Sequence, residues 1–278
     1  MIKGITGAGL GRLPSLKKFV ELAAAYGFQA VDLDPVGLSD ELGQEEAKQW
    51  LKENNMQLGS IGLPVQCLGD EKAFRSTLPL LARYAEAASA LGCSSCCTYI
   101  LPSTDGNHAQ LMAQLVRRYR VCAEILEAYG MRLGLEYVGP HHLRSTWTNP
   151  FIWTMEQTLD LIAAIGKSNV GLLLDSYHWY TTGQTAEDLH RLRVDQIVHV
   201  HLNDSDASPE EALDNDRLYP GEGRIDLGSF LKALKTAGYQ GAVSQEVLTR
   251  QNPEDPVETL FERSKRGYQK AWHAAGLE

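Results

Sequence analysis

The sequence predicts a (β/α)8 barrel, eight parallel strands closed on themselves and wrapped by helices. Three observations predict it. Short apolar runs alternate with amphipathic stretches over all 278 residues, and eight such pairs follow one another; eight is the number that closes a parallel sheet into a ring. Several helical stretches run out at a glycine, at Gly27, Gly92, Gly130, Gly166 and Gly238, the residue that accepts the left-handed turn closing a helix. No linker, low-complexity tract or long charge run divides the chain, so residues 1–278 are expected to form a single domain, long enough to bury a substantial core.

Taken in order, the first strand is IKGIT (2–6), followed by a helix over 14–26 in which Leu16, Phe19, Val20 and Ala23 recur at helical spacing. AVDLD (30–34) precedes a helix over 41–53, LGSIGLP (58–64) one over 71–91, and CSSCCTYILP (93–102) one over 109–129. RLGLEYVG (132–139) precedes a helix over 155–165, and VGLLLD (170–175) a short one near 186–192. IVHVHLND (197–204) precedes a helix over 227–237, and GAVSQEV (241–247) one over 256–275. The rival architecture, an open doubly wound sheet, would want a G-x-G-x-x-G fingerprint after the first strand. GAGLGR (7–12) has the wrong spacing and reads as a flexible rim loop.

Composition narrows the function classes. A formal net charge of -9 disfavours a nucleic-acid binder, which usually shows a basic face. The N-terminus lacks a signal-peptide apolar core, and no apolar run approaches membrane-spanning length, so a soluble, cytoplasmic protein without membrane association is expected. The five cysteines fit that compartment. Cys93 and Cys96 have the spacing of a redox or metal pair, but no second pair completes a zinc site, and they are read as small buried strand residues. Nothing in the sequence speaks against a homo-oligomer.

In such a barrel the chemistry gathers at the C-terminal ends of the strands. Four consecutive predicted strands end on a side chain able to ligate a metal: Glu136, Asp175, His201 and Glu246. Three carboxylates and one imidazole suit one divalent ion, Mn²⁺ first, with Mg²⁺, Co²⁺ or Zn²⁺ as other occupants. Strand alternation places Gly134 beneath Glu136, and Ser244 and Ala242 beneath Glu246. On the seventh strand it puts His199 and His201 on one face and Val198, Val200 and Leu202 on the other. His199 lies deeper, as a core histidine or as a support for the ligands. His178 is the next group out from Asp175, on a loop turned toward substrate.

The stretches SNVGLLLDSYH, HVHLND, RLYPGEGRID and SQEV resemble the sugar phosphate isomerase/epimerase-like barrels, the xylose isomerase-like TIM barrels that include ketose 3-epimerases, inosose dehydratase and apurinic-site endonucleases. The resemblance is close from about residue 133 to 247; before that only the strand and helix rhythm matches. It implies metal ligands at Glu136, Asp175, His201 and Glu246, a substrate-contacting histidine at His178, and a substrate-binding arginine at Arg217. Arg224, beyond the Pro-Gly-x-Gly turn at 220–223, is read as solvated or structural. Two departures concern specificity. The ketose epimerases carry a second glutamate six residues after the first, where this chain has His142 beside His141. The segment 205–216 separates His201 from Arg217 by more than those epimerases show. His142 is therefore a candidate for the substrate shell, with an exposed loop position as its alternative.

The resemblance implies a metal-dependent isomerase or epimerase that abstracts a proton next to the carbonyl of a keto sugar or polyol, with Glu136 and Glu246 as the catalytic pair. Loss of a hydroxyl from the same enediolate would make it a dehydratase acting on a keto-inositol or 3-keto sugar. No basic cluster marks a phosphate site, which favours an unphosphorylated substrate. An apurinic-site endonuclease-like phosphodiesterase would need extra histidines on the third and fourth strands, which end GLP and ILP; His108 lies beyond a loop. A non-catalytic binding barrel is the remaining alternative.

Overall fold

A computed structural model describes residues 1–277. Its main sheet is parallel throughout, in the spatial order Gln57–Leu58, Ala30–Val31, Ile2–Ile5, Ala242–Gln245, Ile197–Leu202, Val170–Asp175, Arg132–Tyr137, Ser95–Ile100, Ile61–Gly62. The two outermost segments are halves of one third strand. Gln57–Leu58 pairs with the second strand and Ile61–Gly62 with the fourth. The amide of Gly59 donates to Val31 O on one side and that of Leu63 to Cys97 O on the other, each at 2.9 Å, so the ring closes. The first strand lies beside the last in the register Ile2 to Ala242 through Ile5 to Gln245.

The main core fills the layer between sheet and helices, with Leu172, Leu174, Val200 and Leu202 of the strands facing residues such as Leu161, Phe230 and Phe261 of the helices. A second, small cluster of Cys97, Leu173 and Val198 fills the barrel interior. There Gly134 lets the strands approach: a Cβ on it would stand 2.8 Å from Cys97 Sγ and 3.3 Å from Val198 Cβ. All five cysteines are free and buried, and burial pushes the Cys93 thiol up to about 12. No helix among the described residues is long and apolar enough to cross a membrane.

Several elements depart from the sequence expectation, each for a local reason. The helix expected over 41–53 is two, Pro35–Leu42 and Gln44–Glu53, broken at Gly43 with φ of 84°. Asp34 and Pro35 start the first of them, Asp34 Oδ1 accepting from the Val36 amide at 3.0 Å. A short helix, Ser176–Thr181, follows the sixth strand directly, where a loop was expected. Val198 does not share a face with Val200 and Leu202. The register between the sixth and seventh strands shifts between Ile197 and His199, a bulge that turns Val198 into the barrel. The loop 7–12 is packed, with Leu10 buried and the Gly9 carbonyl accepting from the Tyr219 hydroxyl.

Candidate active site

The strand ends bring Glu136, Asp175, His201 and Glu246 together, with one potential ligand atom of each lying within 4.8 Å of all the others. They come from an arc of four adjacent strands, the fifth to the eighth. Asp175 and His201 are register partners in the middle of the arc, and Glu136 and Glu246 reach in from its two ends. Glu246 lies one residue past the eighth strand, and its amide still donates to Leu202 O at 3.1 Å. His201 Nδ1 sits 3.7 Å from Glu136 Oε1, 4.0 Å from Asp175 Oδ2 and 3.5 Å from Glu246 Oε2.

Two atoms at this point, His201 Nδ1 and Glu136 Oε1, are buried and have no hydrogen-bond partner. Buried polar atoms rarely go unpaired. An imidazole nitrogen and a carboxylate oxygen, both unpartnered and both aimed at the centre of a carboxylate group, fit a divalent cation. The electrostatics carry the same demand for positive charge. Burial disfavours the imidazolium of His201, yet Glu246, Asp32 and Glu136 push its pKa up well past the usual range. Burial also opposes charge on Asp175, but Arg217, His178 and His201 hold it down at about 2. The two glutamates diverge. Burial pushes Glu136 up, only partly offset by the nearby His201; Glu246 feels burial too, but His201 and Arg217 hold it below the usual range.

Asp32 was not expected in this site. It lies just beyond the second strand, and its Oδ2 is 2.7 Å from His199 Nε2 and 3.4 Å from His201 Nε2. Its Oδ1 accepts from the Ser60 amide and the Ser244 hydroxyl, both at 3.0 Å. A carboxylate on Nε2 turns the Nδ1 lone pair of His201 toward the cluster. His199, deep in the barrel, is thus part of the support and lies two residues back from His201 on the strand.

Arg217 is buried against the cluster. Its Nη1 donates to Asp175 Oδ2 at 2.8 Å and Glu246 Oε2 at 3.0 Å, and its Nη2 to Asp214 Oδ1 at 2.8 Å. Asp175 also accepts from Asn203 Nδ2 and, at 2.6 Å, from the Tyr177 amide, the bond that caps the short helix carrying His178. The Gly139 amide donates to His178 Nδ1 at 3.3 Å, which leaves Nε2 as the edge facing Arg217 and Asp214.

Two cavities meet at the cluster and share Tyr99, Glu136 and Glu246. One, of about 400 Å³, runs toward Asp32, Ser60 and Tyr84. The other, of about 460 Å³, runs toward His178, Arg217 and Asp214 under apolar walls. His142 stands on a one-turn helix, His141–Arg144, and lines neither cavity, whereas its neighbours Leu143 and Trp147 line the second. Arg224 and His108 are exposed and lie outside both.

Residues 20–267 match the family described as xylose isomerase-like TIM barrel. An inosose isomerase of Bacillus velezensis is 28% identical over 244 residues, 84% of this chain and 83% of its own. The structure of a xylose isomerase domain protein from Alicyclobacillus acidocaldarius is 35% identical, with a TM-score of 0.92 over 99% of both chains. The IOLI protein, whose crystal structure holds a zinc atom, shares the fold at a TM-score of 0.82 and 22% identity over 99% of this chain and 98% of that one. Enzymes of two further kinds are relatives. A D-psicose 3-epimerase of Enterocloster bolteae is 24% identical over 84% of this chain and 77% of its own. A 3-dehydroshikimate dehydratase of Pseudomonas aeruginosa is 29% identical over 54% of this chain but only 24% of its own.

Proposed function

The chain belongs to the xylose isomerase-like TIM-barrel family, and on that premise we propose that it is a divalent-metal-dependent isomerase or epimerase that moves a proton next to the carbonyl of a keto sugar or keto polyol. The observation that carries this reading is the pair of glutamates, Glu136 and Glu246, at the two ends of the ligand arc and on the wall of both cavities. The similarity to an inosose isomerase and a D-psicose 3-epimerase supports the substrate class.

Glu136, Asp175, His201 and Glu246 would hold the ion, which would supply the positive charge that stabilises negative charge developing on substrate oxygen. Glu246, kept ionised by His201 and Arg217, takes the proton at its carboxylate. Glu136, pushed up by burial, returns one from the other end of the arc. Carboxyl groups whose surroundings separate their affinities for protons suit the base and the acid of one reaction. Arg217 fixes Asp175 and Glu246 in place, and His178 presents Nε2 to a substrate oxygen. The apolar wall at Leu143, Trp147 and Leu248 keeps bulk water off the reacting carbon. Loss of a hydroxyl in place of reprotonation would make the enzyme a dehydratase, a reading favoured by the dehydratase relative.

Deuterium wash-in from D₂O tests the reaction. Manganese-loaded protein incubated with a panel of keto sugars and inososes is expected to place solvent deuterium on the carbon beside the carbonyl of at least one of them. Absence of exchange across the panel would overturn the proposal.

A further inference from the structure

We propose that Asp214 sets specificity, accepting a hydroxyl of an uncharged polyhydroxylated substrate and keeping anionic molecules out of the cavity. The assignment rests on the proton-transfer reading of the site. It concerns the long segment before Arg217, to which that reading gives no task.

The segment is fastened so that Asp214 has a defined place. The Tyr177 hydroxyl donates to Leu213 O at 2.6 Å and that of Tyr180 to Ala207 O at 2.8 Å. Bridges at Asp204–Leu218 and Asp216–Thr249 close its two ends. The Asp214 carboxylate then stands beside Arg217 and 4.0 Å from His178 Nε2, in the wall of the second cavity. Its side chain remains 23% exposed, whereas Arg217 and Asp175 are exposed by 1% and 0%.

The cavity has one guanidinium, and four of its five N–H donors are engaged, with Nη2 also 3.5 Å from His178 Nε2. Nε goes to the Asp214 carbonyl, Nη1 to Asp175 and Glu246, and Nη2 to the Asp214 carboxylate. A phosphate or carboxylate on the substrate would find no bidentate partner. It would also face the carboxylates of Asp214 and Glu246 in the cavity wall. With Glu136 and Glu246 assigned to proton transfer, His178 and Asp214 stand beside Arg217 as polar groups able to meet substrate hydroxyls. An ionised carboxylate only accepts, so its partner must donate. Leu101, Val138, Leu143, Trp147 and Leu248 offer the rest of the wall to the C–H face of a sugar or cyclitol ring.

The test uses manganese-loaded protein with myo-inositol and myo-inositol 1-phosphate as probes, their dissociation constants measured by ligand-observed NMR. Wild type is expected to bind the uncharged probe about tenfold more tightly or better. Asp214→Asn should cut that ratio by about tenfold, and Asp214→Glu should keep it. If Asp214 merely props Arg217, the Asn variant would weaken both probes alike and leave the ratio unchanged, which overturns the proposal. Equal binding of both probes by wild type, or binding of neither, also overturns it. Discrimination without deuterium exchange would defeat the reaction alone, and exchange without discrimination would defeat Asp214 alone.

Discussion

The two halves of the barrel are built differently. In the second half, Arg132–Tyr137, Val170–Asp175 and Ile197–Leu202 are ladders of six residues each. In the first half, Ser95–Ile100 also has six, but Ala30–Val31 has two residues, and the third strand is split into two pieces of two residues each. Long ladders hold a side chain at their end to a fixed position, and all four candidate ligands stand on or just past strands of the second half. Short strands give way early, and the first cavity is walled by Leu33 and Ser60 just past them and by Pro35 and Tyr84 of the helices outside. The second half carries the four candidate ligands and the first half shapes the room around them. Asp32 is the exception, a first-half carboxylate that latches the two histidines of the seventh strand.

The sharpest way to break this division is at the glutamates. Glu136→Gln and Glu246→Gln are each expected to lower deuterium wash-in by about 10²–10⁴-fold, the usual weight of a positioned acid or base. Glu246→Gln and His201→Ala should also lose bound manganese on elemental analysis. A rate near wild type in either glutamine variant would place the acid–base pair elsewhere, and full metal content in both Glu246→Gln and His201→Ala would dissolve the cluster.

Asp32→Asn tests the exception. Loss of a carboxylate behind a ligating histidine commonly costs about 10–100-fold in metal affinity, and competition with a chelator would read it. Gly59→Ala should act in the same direction, because its new Cβ collides with Asp32 Oδ1. Unchanged affinity in Asp32→Asn would confine the site to the second half. A smaller change is expected from His178→Ala: steady-state kinetics should show KM raised by about tenfold with kcat less affected, the pattern of a group that binds and orients. A dominant fall in kcat would instead make His178 part of proton transfer.

The smallest effect on the site should come from Gly43→Ala on the outer helical layer. The φ of 84° strains any residue with a Cβ, so a loss of about 1 kcal/mol in stability is expected. Thermal melts would read it, and manganese affinity should stay the same. A fall in affinity would show that the first half grips the site through more than Asp32.

The sequence made the second half legible because strand parity and the C-terminal rule of the barrel act on the same residues. Glu136, Asp175, His201 and Glu246 each sit at the C-terminal end of a stretch read as a strand. Asp32 was hidden because Asp34, two residues on, shares its strand parity. Asp34 followed by Pro35 is a helix start, and reading it so would have left Asp32 as the inward carboxylate. Parity also misplaced Val198, since one bulged residue resets the alternation and composition alone does not announce it. His178 was expected on a loop, yet the same carboxylate that joins the cluster also caps a helix through the Tyr177 amide. His142 and Asp214 belong to connections whose path depends on distant anchors, so neither its absence from the cavity lining nor Asp214's presence there could be read locally.

One contact outside the site governs when it can exist. The Tyr268 hydroxyl donates to Gly4 O and Val243 O, both at 2.7 Å, pinning the first strand to the last from within the final helix. A ribosome makes Gly4 near the start of its work and Tyr268 near the end. Throughout synthesis the first strand must wait with its edge toward the eighth unpaired, and the carboxylate of Glu246 joins its neighbours late. A cation held by the four candidate ligands would enter a cage already closed and, by binding that state alone, would add to the stability of the finished barrel.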